Sequence, residues 1–213
     1  MIIKKQNYLK HAIVLFLLLL LMQPERAWAA YENVEFSSLT NHDGLTNSQV
    51  GAILKDTRGY IWFGTQSGLC RFDGFRMKTF YYINTDDKSL PNNSVDELQQ
   101  DYGGNIWVHT SVGYCIYKYD EEQFERKPEE WLKNIHVQGP PYKLLIDKDK
   151  NMWIAVYGQG LYYHNAKTKN TYLFKFTKKA QPGCLKEGNI SKITEVDGDA
   201  LITYGDGTIC RVN

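Results

Sequence analysis

The chain has 213 residues, of which 43% are hydrophobic and 14% aromatic, and its 25 basic and 24 acidic side chains give a formal net charge of +1. That length suffices for one hydrophobic core of modest size. The balanced charge, without a basic block, argues against a nucleic-acid partner, because binding to phosphates needs a concentration of Lys and Arg.

Residues 1–29 have the pattern of a secretory signal peptide. Lysines lie near the start, and residues 12–22 form an apolar run that is short for a membrane span. Ala27 and Ala29 stand at the −3 and −1 positions of a cleavage site, so cleavage is expected between Ala29 and Ala30. The alternative is an uncleaved signal anchor. Cleavage would leave residues 30–213 with a slightly negative net charge, because the removed segment carries more basic than acidic side chains.

One sequence pattern then occurs four times at nearly constant spacing. The copies are residues 56–73, 101–120, 147–165 and, in degraded form, 195–213. The same place in each copy is occupied by Trp62, Trp107, Trp153 and Leu201. A period of roughly 45 residues is typical of propellers and solenoids.

Each of the first three repeats contains four short runs of strand-forming residues, bounded by turn residues. The predicted strands are 50–55, 60–64, 69–72 and 78–82, then 95–99, 105–108, 114–117 and 123–126, then 142–146, 152–156, 161–164 and 171–176. The fold class predicted is all-β, with about four four-stranded antiparallel β-propeller blades as part of a larger propeller. The predicted blades are approximately 45–86, 90–130, 138–178 and 188–213.

The repeated tryptophans, with Leu201 in the fourth place, are expected to form the structural core of the repeat by packing between blades. The alternative is that they stack on sugars. Cys70 and Cys115 occupy the same register in successive repeats, so they should point the same way and behave as small buried apolar residues. Residues 33–37 form a strand-like piece at the start of the mature chain. This piece either closes a four-blade ring with the fourth repeat, or the chain is cut from a longer protein.

The string NHDGLTNSQVGAILKDTRGYIWFGTQSGLCRFDGF, residues 41–75, resembles the two-component regulator propeller repeat, and residues 89–120 resemble it again. The resemblance implies the periplasmic sensor domain of a hybrid two-component system of gut Bacteroidetes, in which the receptor spans the inner membrane and carries a histidine kinase. It further implies sensing of glycan fragments to regulate polysaccharide utilisation. The partners implied are an oligosaccharide, the remaining blades and kinase of the same receptor, and a second copy of the chain. As an N-terminal fragment, the chain would not signal alone.

Loops of varied polar chemistry on a repeated scaffold are where recognition is expected. His109 and Tyr157 are the strongest ligand-binding candidates, because turn chemistry explains neither residue. The further candidates are Gln66, Gln159, Tyr204 and Asn93. For Asn93 the alternative is an ordinary turn former.

An enzymatic function has little support in the sequence. The Asp-x-x-Gly turns differ in spacing from the Asp-x-Gly of sialidase propellers, and a cluster of arginines is missing. The sequence contains neither a Gly-x-Ser-x-Gly elbow nor two histidines at metal-ligand spacing. We therefore expect no catalytic residue, no metal and no cofactor. The alternative function is a secreted propeller enzyme, a glycosidase or a lyase.

Overall fold

The computed structural model describes residues 37–177, 185–186 and 188–212. The predicted signal peptide, with its cleavage site at Ala29 and Ala30, lies outside the described residues, as does the predicted strand 33–37 except for Ser37, which is not in a strand. All the sheets of the described residues lie in the unit Leu39–Asn213.

Four consecutive antiparallel sheets account for most of this unit. Sheet 1 consists of β1 (Val50–Lys55), β2 (Ile61–Thr65), β3 (Gly68–Phe72) and β4 (Met77–Phe80). Sheet 2 consists of β5 (Val95–Gln100), β6 (Ile106–Thr110), β7 (Gly113–Lys118) and β8 (Gln123–Glu125). Sheet 3 consists of β9 (Pro141–Ile146), β10 (Met152–Val156), β11 (Gly160–His164), β12 (Thr171–Thr177) and β13 (Leu185–Lys186), and sheet 4 of β14 (Ile190–Val196), β15 (Asp199–Tyr204) and β16 (Ile209–Val212).

The predicted strands of the first three repeats are confirmed to within two residues at each end. Within each sheet the strands pair in chain order. The pairs are antiparallel except for the short β13, which pairs with β12 in parallel. One helix was not predicted: α1 (Pro128–Leu132) follows β8 and runs into a 3-10 turn, Lys133–Ile135. Proline in the first turn, followed by two glutamates, favours a helix start at this point. Among the described residues no helix is both long and apolar enough to cross a membrane.

The sheets stack face to face, and the first strands β1, β5, β9 and β14 contact one another in succession. An apolar layer fills each of the three spaces between neighbouring sheets. Trp62 lies in the layer between sheets 1 and 2, Trp107 between sheets 2 and 3, and Trp153 between sheets 3 and 4. Cys70 and Cys115 are both buried free thiols, as their shared register predicted. The architecture is therefore that of β-propeller blades.

The turn that precedes each tryptophan is tied to the indole ring by an aspartate. Asp56 is buried, its Oδ1 accepts the backbone N–H groups of Arg58 and Tyr60, and its Oδ2 accepts Trp62 Nε1–H at 2.7 Å. Asp101 repeats the arrangement and accepts Trp107 Nε1–H at 3.0 Å. These bonds satisfy the buried carboxylates. In the first two repeats, the Asp at the start of the turn and the Trp that follows it are therefore joined by the same buried hydrogen bond.

In the fourth sheet the position of the repeated Trp is occupied by Leu201, which was expected in the core. Leu201 is only half-buried, whereas its neighbours Ala200 and Ile202 are buried against sheet 3. Successive side chains in a strand point to opposite faces, so Leu201 points away from sheet 3. No described sheet follows on that face, and Leu201 is not a core residue of the described fold.

Candidate binding groove between the second and third sheets

The turns between the second and third strands of each sheet lie at the same end as the connections between sheets. Gly68 N–H donates to Asn93 O at 2.8 Å, Ser111 N–H to Ser94 O at 3.2 Å, and Gly205 N–H to Asn189 O at 3.1 Å. We call this end of the sheets the B–C end. These backbone bonds fix the B–C turns of sheets 1, 2 and 4 to an adjacent connection.

At the B–C end, sheets 1 and 2 approach each other closely because of a glycine. Gly64 is buried in β2, and a Cβ atom added there would lie 2.6 Å from Val95 Cγ1 of sheet 2. The same place in sheet 2 is occupied by His109, the second residue after the repeated Trp. His109 lies in strand β6 and not in the B–C turn where the sequence analysis placed it. The space between sheets 1 and 2 therefore contains no side chain at this position, because the residue is Gly64. The equivalent position between sheets 2 and 3 is filled by the imidazole of His109.

Beside His109 a groove of about 470 Å³ opens between sheets 2 and 3. We call it the 2–3 groove. Its lining includes His109 and Tyr114 from sheet 2, Arg126 and Glu129 from the connection between the sheets, and Tyr142 and Tyr157 from sheet 3 and its B–C turn. This volume is within the range of small-molecule sites, about 300–1,000 Å³.

The wall of the groove on the side of sheet 3 is a stacked pair of tyrosines. The rings of Tyr142 and Tyr157 are nearly parallel, with centroids 4.0 Å apart and an interplanar angle of 20°. Tyr157 is 66% exposed, whereas Tyr142 is half-buried beneath it. Burial raises the pKa of Tyr142. A second groove of about 370 Å³, lined by Gln159 and Asn189 among others, lies against the same two rings. The exposed ring of Tyr157 is therefore a flat platform between two concave surfaces.

The opposite wall of the groove presents His109 in a fixed orientation. Its Nδ1 lies 2.6 Å from Asp96 Oδ1, and its ring packs on Tyr114 with centroids 4.4 Å apart. Since the carboxylate can only accept, Nδ1 carries the proton in this bond. Nε2 is then the ring nitrogen left for another partner.

A polar bridge joins the two sheets beside His109. The hydroxyl of Tyr114 donates to Glu97 Oε2 at 2.8 Å and accepts Leu144 N–H at 3.2 Å, while Lys143 Nζ lies 3.5 Å from Glu97 Oε1. Burial, followed by the Glu97 carboxylate, raises the pKa of Tyr114 well above its ordinary value. The phenol therefore keeps its proton, and the bridge holds the groove walls at a set separation.

The connection between sheets 2 and 3 supplies one cation and one anion to the groove. Arg126 donates through Nε to Ser89 O at 2.9 Å, and through Nη2 to Asp86 O at 2.7 Å and Leu90 O at 3.2 Å. Glu129 lies in the first turn of α1. Among the contacts of the described residues, the Glu129 carboxylate has no hydrogen bond or ion pair.

The structure brings only two of the six predicted ligand-binding residues into the 2–3 groove, His109 and Tyr157. Gln159 lines the neighbouring groove and donates to Gln138 O at 2.8 Å. Gln66 accepts from Ser94 Oγ at 2.9 Å, and the Asn93 side chain accepts Tyr82 N–H at 2.7 Å, so both hold loops together.

The prediction that Tyr204 binds a ligand from a surface loop is wrong. Tyr204 is the last residue of β15, only 3% exposed, and packed in the layer between sheets 3 and 4. Burial raises the pKa of Tyr204 to about 12. The sequence pattern predicts a surface loop at Tyr204, but the side chain of a residue at a strand end can still point into the core.

Four of the groove residues named above were missed from the sequence: Arg126, Glu129, Tyr114 and Tyr142. The first two belong to the connection between β8 and β9, which contains a helix. The available signal was Pro128 followed by two glutamates, because this pattern is typical of the first turn of a helix and sets the connection apart from an ordinary loop.

The fold is similar to that of extracellular domains of known structure. It is similar to the extracellular domain of BT3049 from B. thetaiotaomicron, described as a putative hybrid two component system, with a TM-score of 0.57 and 24% identity over 82% of this chain and 24% of that chain. The extracellular domain of BT4673, also described as a hybrid two component system from B. thetaiotaomicron, gives a TM-score of 0.51 and 16% identity over 78% of this chain and 24% of that chain.

The sequence comparisons agree with this fold. Residues 44–67 match the family model described as two component regulator propeller. A histidine kinase, P4 of Formosa agariphila, is 41% identical over 61 residues, which are 29% of this chain and 4% of the kinase. The chain thus carries the two-component regulator propeller repeat, as its sequence resemblance predicted, and spans about a quarter of the solved domains it matches.

Proposed function

We propose that this chain is a ligand-binding propeller segment of the extracytoplasmic sensor region of a two-component receptor, and that it binds an oligosaccharide in the 2–3 groove. The observation that carries the proposal is the meeting of His109 and Tyr157 in one groove, although they belong to different repeats of the sequence. Neither side chain is needed to form a turn, and each offers chemistry that suits a sugar.

The groove chemistry matches a saccharide ring in two ways. The exposed face of Tyr157, supported from behind by Tyr142, can stack on the C–H face of a pyranose. His109 Nε2 and the Glu129 carboxylate can accept hydrogen bonds from sugar hydroxyls. The proposal extends to regulation of polysaccharide utilisation, which is the role associated with the repeat family.

Location and partners are part of the same proposal. Residues 1–29 have the sequence pattern of an export signal, which supports a periplasmic location. The partners we propose are further blades and the histidine kinase of one receptor, and a second copy of the chain. A segment without the kinase would bind its ligand but would not signal alone.

A titration of the full purified chain tests the proposal. An array of neutral and acidic oligosaccharides identifies a bound sugar, and calorimetry then compares wild type with Tyr157→Ala and His109→Ala. Loss of a stacking aromatic or of a central polar contact costs about 1–3 kcal/mol, so affinity should fall roughly tenfold to a hundredfold. Tyr172→Ala is the matched control, because Tyr172 is an exposed tyrosine of β12 outside the groove. If both groove variants remain folded and bind like wild type, the proposed site is wrong.

A further inference from the structure

We infer that the 2–3 groove selects an uncharged saccharide over a uronate or sulfated one, and that Glu129 is the residue that determines this selection. The inference rests on the proposed function and adds the charge class of the ligand. It follows from the state of each charged group that lines the groove.

The cation of the groove is not available for bidentate binding of an anion. A guanidinium grips a carboxylate or sulfate through two parallel N–H donors, either Nε with Nη2 or Nη1 with Nη2. In Arg126, Nη2 already donates to Asp86 O at 2.7 Å and to Ser89 Oγ at 2.6 Å, and Nε donates to Ser89 O. Both forks include Nη2, so bidentate binding of an anionic ligand would break contacts that hold the connection between sheets 1 and 2, and Nη1 is the guanidinium nitrogen without a hydrogen bond in the described part of the chain.

The histidine does not supply a net positive charge either. The carboxylate of Asp96 lies 2.6 Å from His109 Nδ1, so the pair carries no net charge when the imidazole is protonated and one negative charge when it is neutral. Lys143 and Glu97, whose charged atoms lie 3.5 Å apart, likewise offset each other. Arg126, which is in no ion pair within the described part of the chain, is therefore the cation of the groove lining that no anion offsets.

Glu129 is the unpaired anion of the groove lining. Its carboxylate lines the groove and has no hydrogen bond or ion pair within the described part of the chain. The next residue, Glu130, is by contrast bonded to Lys133 at 2.8 Å. A second carboxylate brought into the groove by a uronate would be repelled by Glu129 and could reach Arg126 through Nη1 alone, whereas sugar hydroxyls would donate to Glu129.

The test compares matched sugars and matched variants. The probes are the neutral oligosaccharide selected on the array and the same oligosaccharide with one residue oxidised to a uronate, titrated calorimetrically into the full chain. Wild type should bind the neutral probe at least about tenfold more tightly, as expected for one unscreened like-charge contact of roughly 1–2 kcal/mol. Glu129→Gln keeps the size and removes the charge, so the two affinities should come within about threefold.

Glu130→Gln is the matched control, because it removes a paired carboxylate one residue away, and it should leave the preference unchanged. Salt at about 500 mM, which shortens the screening length to a few ångströms, should also reduce the preference of wild type. Equal or tighter binding of the uronate by wild type, or an unchanged preference in Glu129→Gln, overturns the inference while the proposed function stands. Failure of wild type to bind any sugar on the array overturns both.

Discussion

The bond between Asp56 and Trp62 is an ion–dipole contact in a layer from which water is excluded. Trp62→Phe keeps most of the apolar surface and removes the N–H that Asp56 Oδ2 accepts. A hydrogen bond to a buried charged group contributes about 1.5–3 kcal/mol, so we expect a loss of unfolding free energy of about 2–3 kcal/mol. Urea unfolding measures it.

Trp153→Phe is the control for this variant. The corresponding aspartate, Asp147, accepts from the backbone and side chain of Asn151. We therefore expect Trp153→Phe to cost only the packing change, under about 1.5 kcal/mol. Equal losses for the two variants would contradict the assigned role of the Asp–Trp bond.

His164 makes the stability of the fold depend on pH. Its side chain is 1% exposed, and Nδ1 is bonded to Thr171 Oγ1 at 2.9 Å. Burial first, then the nearby Lys169 and His136, lower the pKa of His164 below its ordinary value of 6.5. The unfolded chain therefore takes up a proton at a higher pH than the folded chain does.

The expected result is a loss of stability as the pH falls below about 6.5, complete once the pH passes the lowered folded pKa of His164. Above about pH 6.5 the residue is neutral in both states and contributes no slope. His164→Gln should flatten the pH dependence of the unfolding free energy in this window, while replacement of the exposed His42 by Gln should not. A slope that is identical in all three proteins would contradict the assignment.

At the scale of the element, the spacing of neighbouring sheets depends on one position of the second strand. Gly64→Ala should force β2 and β5 apart, because the added Cβ lies 2.6 Å from Val95 Cγ1. Overpacking of this kind costs about 1–3 kcal/mol. Denaturant unfolding of the variant measures the loss. In His109→Ala, at the equivalent place in sheet 2, we expect a loss of about 1–2 kcal/mol without steric strain, because the contact with Asp96 and the packing on the Tyr114 ring are lost.

A second substitution tests whether a steric clash with Val95, rather than a general loss of packing, destabilises Gly64→Ala. Val95→Ala removes Cγ1, the atom nearest to the added methyl group, so the double variant Gly64→Ala, Val95→Ala should be more stable than the sum of the two single losses implies. Strict additivity would mean that the contact with Val95 is not the cause.

At the scale of the whole molecule, local patterns predicted the strands and a repeat period predicted their assembly. Trp62 could be placed in the core because the next sheet is encoded by the next repeat. Leu201 could not, because its burial depends on a neighbouring sheet and not on its own strand. The groove was only half predictable for a related reason. Tyr157 belongs to the repeat register, whereas Arg126 and Glu129 belong to a helical connection that the repeat pattern does not encode.

Export is a prediction for the whole chain. The pattern of Ala27 and Ala29 places the new N-terminus at Ala30 or Tyr31, and N-terminal sequencing of the protein from the cell envelope checks it. Ala29→Arg should block processing, because the −1 position accepts only small residues. Wild-type protein from the envelope that still begins with Met1 would contradict the prediction.

The helix that carries Glu129 into the groove also carries Trp131. Its indole meets Trp107 edge to face, with ring centroids 5.3 Å apart, and it is only partly buried. Trp62, Trp107 and Trp153 are buried in layers between sheets, so among the indoles that the structure describes, Trp131 is the one whose emission should respond most to a movement of α1. The protein therefore contains its own optical reporter of this helix: a ligand that moves α1 on binding should shift the fluorescence spectrum without any attached dye.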